Sequence, residues 1–259
     1  MAPVYFIGHG SPMNALATNA YTAALAKLGA SYPHPKGVLC VSAHWTTQGT
    51  WVTHMAKPKT IHDFYGFPKE LFAIEYPAPG CPEVAERIRT VVSVTPIQFD
   101  DEKWGLDHGT WSVLRHIYPA ANVPVVQLSL DLAQPPDFHF KVGQQLAALR
   151  DEGVLIVGSG NIVHNLRTIR WEADAPPTPW ATQFDDWCKA KIVARDFSAI
   201  LHDWSALESG RLSVPTTEHF LPLCYTLGAA ADTDGLEFVH EEIQNSSISM
   251  RSIRFARKL

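Results

Sequence analysis

Three stretches of the chain, 38–42, 123–130 and 154–157, are almost continuously apolar and rich in valine and leucine. A strand with one face in water alternates apolar and polar residues. A strand covered on both faces does not, so these runs read as central strands between two helical layers. Further β-rich runs lie at 4–8, 50–55 and 95–99, and two that alternate more clearly lie at 236–243 and 247–255. The alternating pair suits edge or antiparallel strands. Helical patterns fall between the runs, at 18–28, 82–93, 136–151, 180–202 and 218–229. The last holds Pro222, so it starts late or bends there. Strands alternating with helices predict the α/β class: a single layered α/β/α domain over 1–259 with a mostly parallel or mixed sheet. The segments 56–81, 171–179 and 210–217 read as long loops, where function often sits.

Composition limits the partners. The net charge is −5 and no lysine- or arginine-rich run is present, which argues against nucleic acid and against a polybasic membrane contact. No apolar run approaches the ~20 residues of a membrane-spanning helix. The four cysteines are far apart and form no C-x-x-C pair, so a reduced cytoplasmic setting is expected. A small-molecule partner is expected, and homo-oligomerisation is left open.

The unusual residue is histidine, present twelve times. His9 follows the run VYFIG between two glycines, His44 follows the run at 37–43, and His164 comes just after the run at 153–158. In open α/β sheets ligands bind beyond the carboxyl ends of the strands. Three histidines at three such ends could therefore converge, with the metal site beyond those ends. His219, at a loop-to-helix junction, could reach the same place, and His108 lies in another glycine-flanked loop. Imidazole is the commonest metal-ligating side chain, and flanking glycines let the chain turn sharply. A lone histidine at a strand end is more often a hydrogen-bonded structural residue; several at equivalent positions are less easily read that way. Rival motifs fail: GSGNIVH has His164 where a dinucleotide loop needs its third glycine, and Val157 removes a G-x-S-x-G elbow around Ser159.

The segments GHGSPMN (8–14), VSAHW (41–45), TIHDFYGFP (60–68), YPAPG (76–80) and GLDHGTW (105–111) recur in order with VPVVQLSL (123–130), GSGNIVHNL (158–166), PWA (179–181), PTTEHFLPLCYTLGA (215–229) and SISM (247–250). Together they resemble the class III extradiol ring-cleavage dioxygenases, the family of the protocatechuate 4,5-dioxygenase catalytic subunit. The resemblance is closest to the 4,5-DOPA dioxygenase branch. It implies a mononuclear metal held by His9, His44 and His219, an acid–base histidine at His164, and a second pocket histidine at His108. The wider class uses two histidines and a glutamate. Here the third position reads as His219 beside Glu218, so Glu218 stands as a minority alternative ligand. Two histidines and a carboxylate suit non-haem Fe(II); three histidines also suit zinc.

The resemblance further implies O2 as cosubstrate and a catechol ring cut beside its two hydroxyls. L-DOPA is the leading substrate, opening to 4,5-seco-DOPA, which closes to yellow betalamic acid. His62, Asp63 and Tyr65 are candidates for lining the pocket. Arg167 or Arg170 are candidates for a substrate carboxylate, since the guanidinium fits that group. Asp107 either orients His108 or caps a turn. Two alternatives remain: a zinc hydrolase, with His164 as base to a zinc-bound water, and a catalytically silent zinc protein with His164 as fourth ligand.

Overall fold

The computed structural model describes residues 1–172 and 175–257. Twelve strands run in chain order: β1 (Val4–Gly8), β2 (Gly37–Thr46), β3 (Thr50–Thr53), β4 (Lys59–Thr60), β5 (Ile97–Asp100), β6 (Gly105–Leu106), β7 (Val125–Leu130), β8 (Val154–Gly160), β9 (Asp234–His240), β10 (Ile243–Gln244), β11 (Ile248–Ser249) and β12 (Ser252–Arg257). The helices are α1 (Ala20–Ser31), α2 (Lys69–Phe72), α3 (Pro82–Val91), α4 (His108–Ile117), α5 (Pro136–Leu146), α6 (Ala148–Asp151), α7 (Pro179–Val193), α8 (Phe197–His202), α9 (Glu208–Ser213) and α10 (Leu221–Ala229).

Eight strands form one mixed sheet in the order β5-β3-β7-β2-β8-β1-β12-β9. Its centre, β7-β2-β8-β1, is parallel, and β12 and β9 close one side antiparallel. The apolar runs of the sequence are these central strands. Their side chains divide by parity into two cores, as the two-residue repeat of a strand requires. Val4, Phe6, Leu39, Val41, Ile156 and Leu128 face one core, shared with α3, α5, α7 and α10. Tyr5, Ile7, Val38, Cys40, Leu155 and Val157 face the other, shared with α1 and α4. The fold is the expected α/β/α layering.

Closest approach in the first core is between α5 and α10. A methyl on Gly143 would lie 2.3 Å from the Tyr225 carbonyl oxygen, and one on Gly228 would lie 2.1 Å from that of Phe140. Only glycine permits this separation. Helix α10 starts at Leu221 with Pro222 in its first turn, where the missing N–H costs nothing.

Two elements differ from the sequence expectation. The stretch 180–202 is two helices, because Arg195 takes a φ of 55° and the Asp196 carboxylate accepts the Ala199 N–H at 3.3 Å to start α8. The Arg195 guanidinium donates to the Ala231 carbonyl at 3.0 Å, which holds this break against the loop before β9. The loops read at 56–81 and 210–217 contain β4, α2 and most of α9. Residues 173 and 174 of the loop read at 171–179 lie outside the described residues. Among the described residues no helix is long and apolar enough to cross a membrane.

Candidate metal centre and active site

His9 is the first residue past β1, and its N–H donates to Gly160 O at 3.1 Å, extending the β1–β8 ladder. Its glycine neighbours have separate reasons. A methyl on Gly8 would meet the Met250 backbone at 2.7 Å, and Gly10 turns the chain at a φ of +60°. His44 lies inside β2, not past its end, because the strand continues to Thr46 beyond an irregularity in its pairing with β7. His108 is the first residue of α4; Asp107 caps that helix by accepting the Thr110 N–H at 3.2 Å. His219 precedes α10, and its carbonyl accepts the Asn161 N–H at 2.8 Å. Gly160 allows that approach, since a Cβ there would lie 2.2 Å from the same carbonyl oxygen. His164 is fixed by its N–H to Ser213 O at 2.9 Å and a bridge to Ile248.

These five rings form one cluster. His9 and His44 bring their Nε2 atoms to 3.1 Å. Ligand atoms of His9, His44 and His219 all lie within 4.8 Å of one another. The His44 and His108 ring centroids are 3.9 Å apart, and His164 stacks on His219 at 3.5 Å with 7° between the planes.

Behind three of the rings stands a hydrogen-bonding partner for Nδ1. Ser159 Oγ lies 3.0 Å from His9 Nδ1 and donates its own proton to Gly109 O at 2.5 Å. Its oxygen must therefore accept, and the His9 proton is on Nδ1. Asp63 Oδ2 lies 3.3 Å from His44 Nδ1. Glu218 Oε1 accepts from His219 Nδ1 at 3.2 Å and from Thr216 Oγ1 at 2.8 Å. With Nδ1 engaged in each ring, the Nε2 lone pairs are left to converge. His219 Nε2 is buried with no partner.

The electrostatics agree. Burial, then the charges of the neighbouring histidines, hold His9 and His219 well below the ordinary histidine range. Burial and His108 do the same to His44, against an upward pull from Asp63. Burial brings His164 down to about 4, with Glu218 opposing. Five neutral imidazoles in one place form a donor set for a cation.

Asp63 belongs to this cluster. Its backbone is exposed but its side chain is only 16% exposed. Burial raises its pKa, but the His108 side chain, His44 and the His108 N–H outweigh that and bring it down to about 2. Asp107 does not reach the His108 ring. Besides capping α4 it accepts from Ser42 Oγ at 2.7 Å and from Gln127, and burial, then the charge of Asp63, push it up to about 6.

The other pocket candidates stand apart. Tyr65 is 92% exposed, because Gly66, at a φ of +77°, turns the loop outward there. His62 donates Nε2–H to Ile74 O at 2.9 Å and packs on Phe64, Phe72 and Trp111, tying the loop down. Arg167 and Arg170 are exposed, Arg167 on the turn after His164. The residues that sequence reasoning passed over are Ser159 and the supporting role of Glu218. The signal for Ser159 was a polar residue inside the apolar run of β8.

The family described as the catalytic LigB subunit of aromatic ring-opening dioxygenase matches residues 4–256. The chain belongs to that family and is an extradiol ring-cleaving dioxygenase of class III. Its relatives place it in the 4,5-DOPA branch: it is 48% identical to the 4,5-DOPA dioxygenase extradiol of Escherichia coli (strain K12), over 97% of this chain and 94% of that one. It is 35% identical to the protein of the same name from Beta vulgaris, over 97% and 95%. A crystal structure of an uncharacterized protein from Escherichia coli K12 matches with a TM-score of 0.87 at 43% identity, covering 99% of this chain and 100% of that one.

Proposed function

We propose that the chain cleaves L-DOPA at its 4,5 bond with O2, giving 4,5-seco-DOPA that closes to betalamic acid, and that His9, His44 and His219 hold a mononuclear Fe(II). The observation that carries the metal assignment is the convergence of Nε2 atoms whose rings are each engaged at Nδ1. His9 and His44 sit at hydrogen-bonding distance, 3.1 Å, and a proton between them would make one ring an imidazolium. Burial and neighbouring imidazoles oppose that charge, whereas a cation shared by neutral rings satisfies both lone pairs. Glu218 is engaged by His219 Nδ1 and Thr216, which supports His219 rather than Glu218 as third ligand. The stacking of His164 on His219 supports a proton-transfer role. An in-plane lone pair of His164 does not aim at the point to which His219 Nε2 aims.

Fe(II) bound there would supply adjacent positions for the catechol oxygens and O2 and pass electrons between them. His164, neutral at pH 7, accepts a proton from a catechol hydroxyl and returns it to an oxygen later in the reaction. His108, its Nδ1 2.9 Å from Asp63 Oδ1, keeps Nε2 for a hydrogen bond to a substrate oxygen. Phe64 packs edge-on against His108 at 5.5 Å and keeps water from that ring. The four cysteines are all free thiols, in keeping with the reduced cytoplasmic setting that this reading assigns.

The test is anaerobic loading with Fe(II), removal of free metal, and addition of L-DOPA in air-saturated buffer, with a zinc-loaded sample alongside. The expected result is one O2 consumed per yellow product with iron and none with zinc. His9→Ala loses metal; His164→Ala keeps metal and loses turnover. Zinc-dependent ester hydrolysis without O2 uptake would replace this reading with a hydrolase, and release of metal by His164→Ala would end its acid–base assignment.

A further inference from the structure

Asp63 is the one side chain that touches two rings of the cluster. Oδ2 lies 3.3 Å from His44 Nδ1. Oδ1 lies 2.9 Å from His108 Nδ1 and accepts the His108 backbone N–H, also at 2.9 Å. The loop that carries it is pinned on both sides. Ile61 N–H donates to Leu106 O, and Ile61 O accepts from Trp111 Nε1, both at 2.8 Å. The carboxylate is therefore held in place by contacts independent of the two histidines. Its two oxygens are already committed to opposite tasks, one toward β2 and one toward the start of α4.

From this arrangement we infer that Asp63 is a positioning residue: its Oδ2 keeps the His44 proton on Nδ1 and so presents the His44 Nε2 lone pair to the metal, while Oδ1 sets the His108 ring. The inference rests on His44 being a metal ligand. Carboxylates behind ligating histidines fix the tautomer and raise ligand basicity, and removing them costs about 10–100-fold in metal affinity. Here one carboxylate couples the ring that holds the cation to the ring offered to substrate.

The two oxygens give the test an unusual ordering. In Asp63→Asn the amide oxygen still accepts the His108 N–H. The amide NH2 then faces His44 Nδ1, which must accept, and the His44 proton moves to Nε2, where it blocks the metal. In Asp63→Ala nothing faces His44, and either tautomer forms. A loop-tying role alone gives the reverse order, with Asn milder than Ala because the tie to His108 survives.

The experiment is a Co(II) titration of chelator-stripped wild type, His44→Ala, Asp63→Asn and Asp63→Ala, read by visible absorption, with circular dichroism checking the fold. The expected result is loss of binding in His44→Ala and weaker binding in both Asp63 variants by about 10–100-fold, with Asn worse than Ala. Unchanged Co(II) affinity in Asp63→Asn, or Asn milder than Ala, overturns the inference and leaves the metal site standing. Wild-type affinity in His44→Ala overturns the ligand assignment itself and the inference with it. A measurement on the native sequence backs these: 15N NMR of the zinc-loaded protein should show His44 coordinated through Nε2 with its proton on Nδ1, and coordination through Nδ1 refutes the inference.

Discussion

His139 sets a pH dependence of stability well away from the site. It lies on α5 with no exposed surface, and its Nδ1 is 3.0 Å from the Tyr225 hydroxyl on α10. Burial lowers its pKa to about 4 in the fold, against weaker upward pulls from Gln134 and Asp131. The unfolded chain holds a histidine near ~6.5. Between those values the unfolded state binds more protons, so stability is full above about 6.5, falls with acidification, and has lost the whole contribution below about 4. The full difference is roughly 3 kcal/mol, and at pH 5 it is about 2 kcal/mol. The perturbation is His139→Gln, which keeps a polar group for Tyr225 and removes the titration. Urea unfolding of the metal-free protein at pH 8 and pH 5 measures it. The wild type should lose about 2 kcal/mol more than the variant over that interval, since the other buried histidines titrate in both. Equal losses would refute the reasoning, because burial would then not suppress protonation of His139.

Two further predictions concern packing and the loop. Gly143→Ala puts a methyl 2.3 Å from Tyr225 O and 2.9 Å from its Cα; α5 and α10 must separate, and thermal or urea unfolding should show a loss of about 1–3 kcal/mol. Tyr65→Ala removes a ring that is 92% exposed; unfolding should shift by less than about 0.5 kcal/mol, and KM for a catechol should stay at the wild-type value. A rise in KM would return Tyr65 to the pocket.

The layered sheet was legible because the central strands advertise themselves: a run such as VLCV in β2 is apolar at every position only when both faces are covered. The histidine cluster was legible for a related reason, since parallel strands deliver their ends to one side of the sheet. What the sequence did not show was the direction of individual side chains. Asp63 and Tyr65 are two residues apart in one aromatic loop, yet one turns into the cluster and the other into solvent. That choice is made by Gly66 and by contacts with α4, which lies more than forty residues on in the chain. Asp107 carries both a cap signal and an orienting signal, and only tertiary placement decides between them. The break at Arg195 was hidden because no glycine or proline marks it; it is held by acceptors in the loop before β9.

Strand β1 has its parallel neighbour β8 on one side and β12 on the other, with Val4 opposite Phe255. The Gly8 N–H donates to Ser252 Oγ at 3.3 Å, and the Met250 backbone fills the space beside Gly8. During synthesis a chain that has reached residue 230 already contains all five cluster histidines, but the strand that seats the first of them has not been made. Assembly of the centre is therefore gated by translation of residues 248–257, and a ribosome-stalled or truncated product short of them would carry the ligands without the site. Such a chain would scavenge no metal in the geometry that activates O2, so the order of synthesis itself keeps the reactive centre from forming before the fold can enclose it.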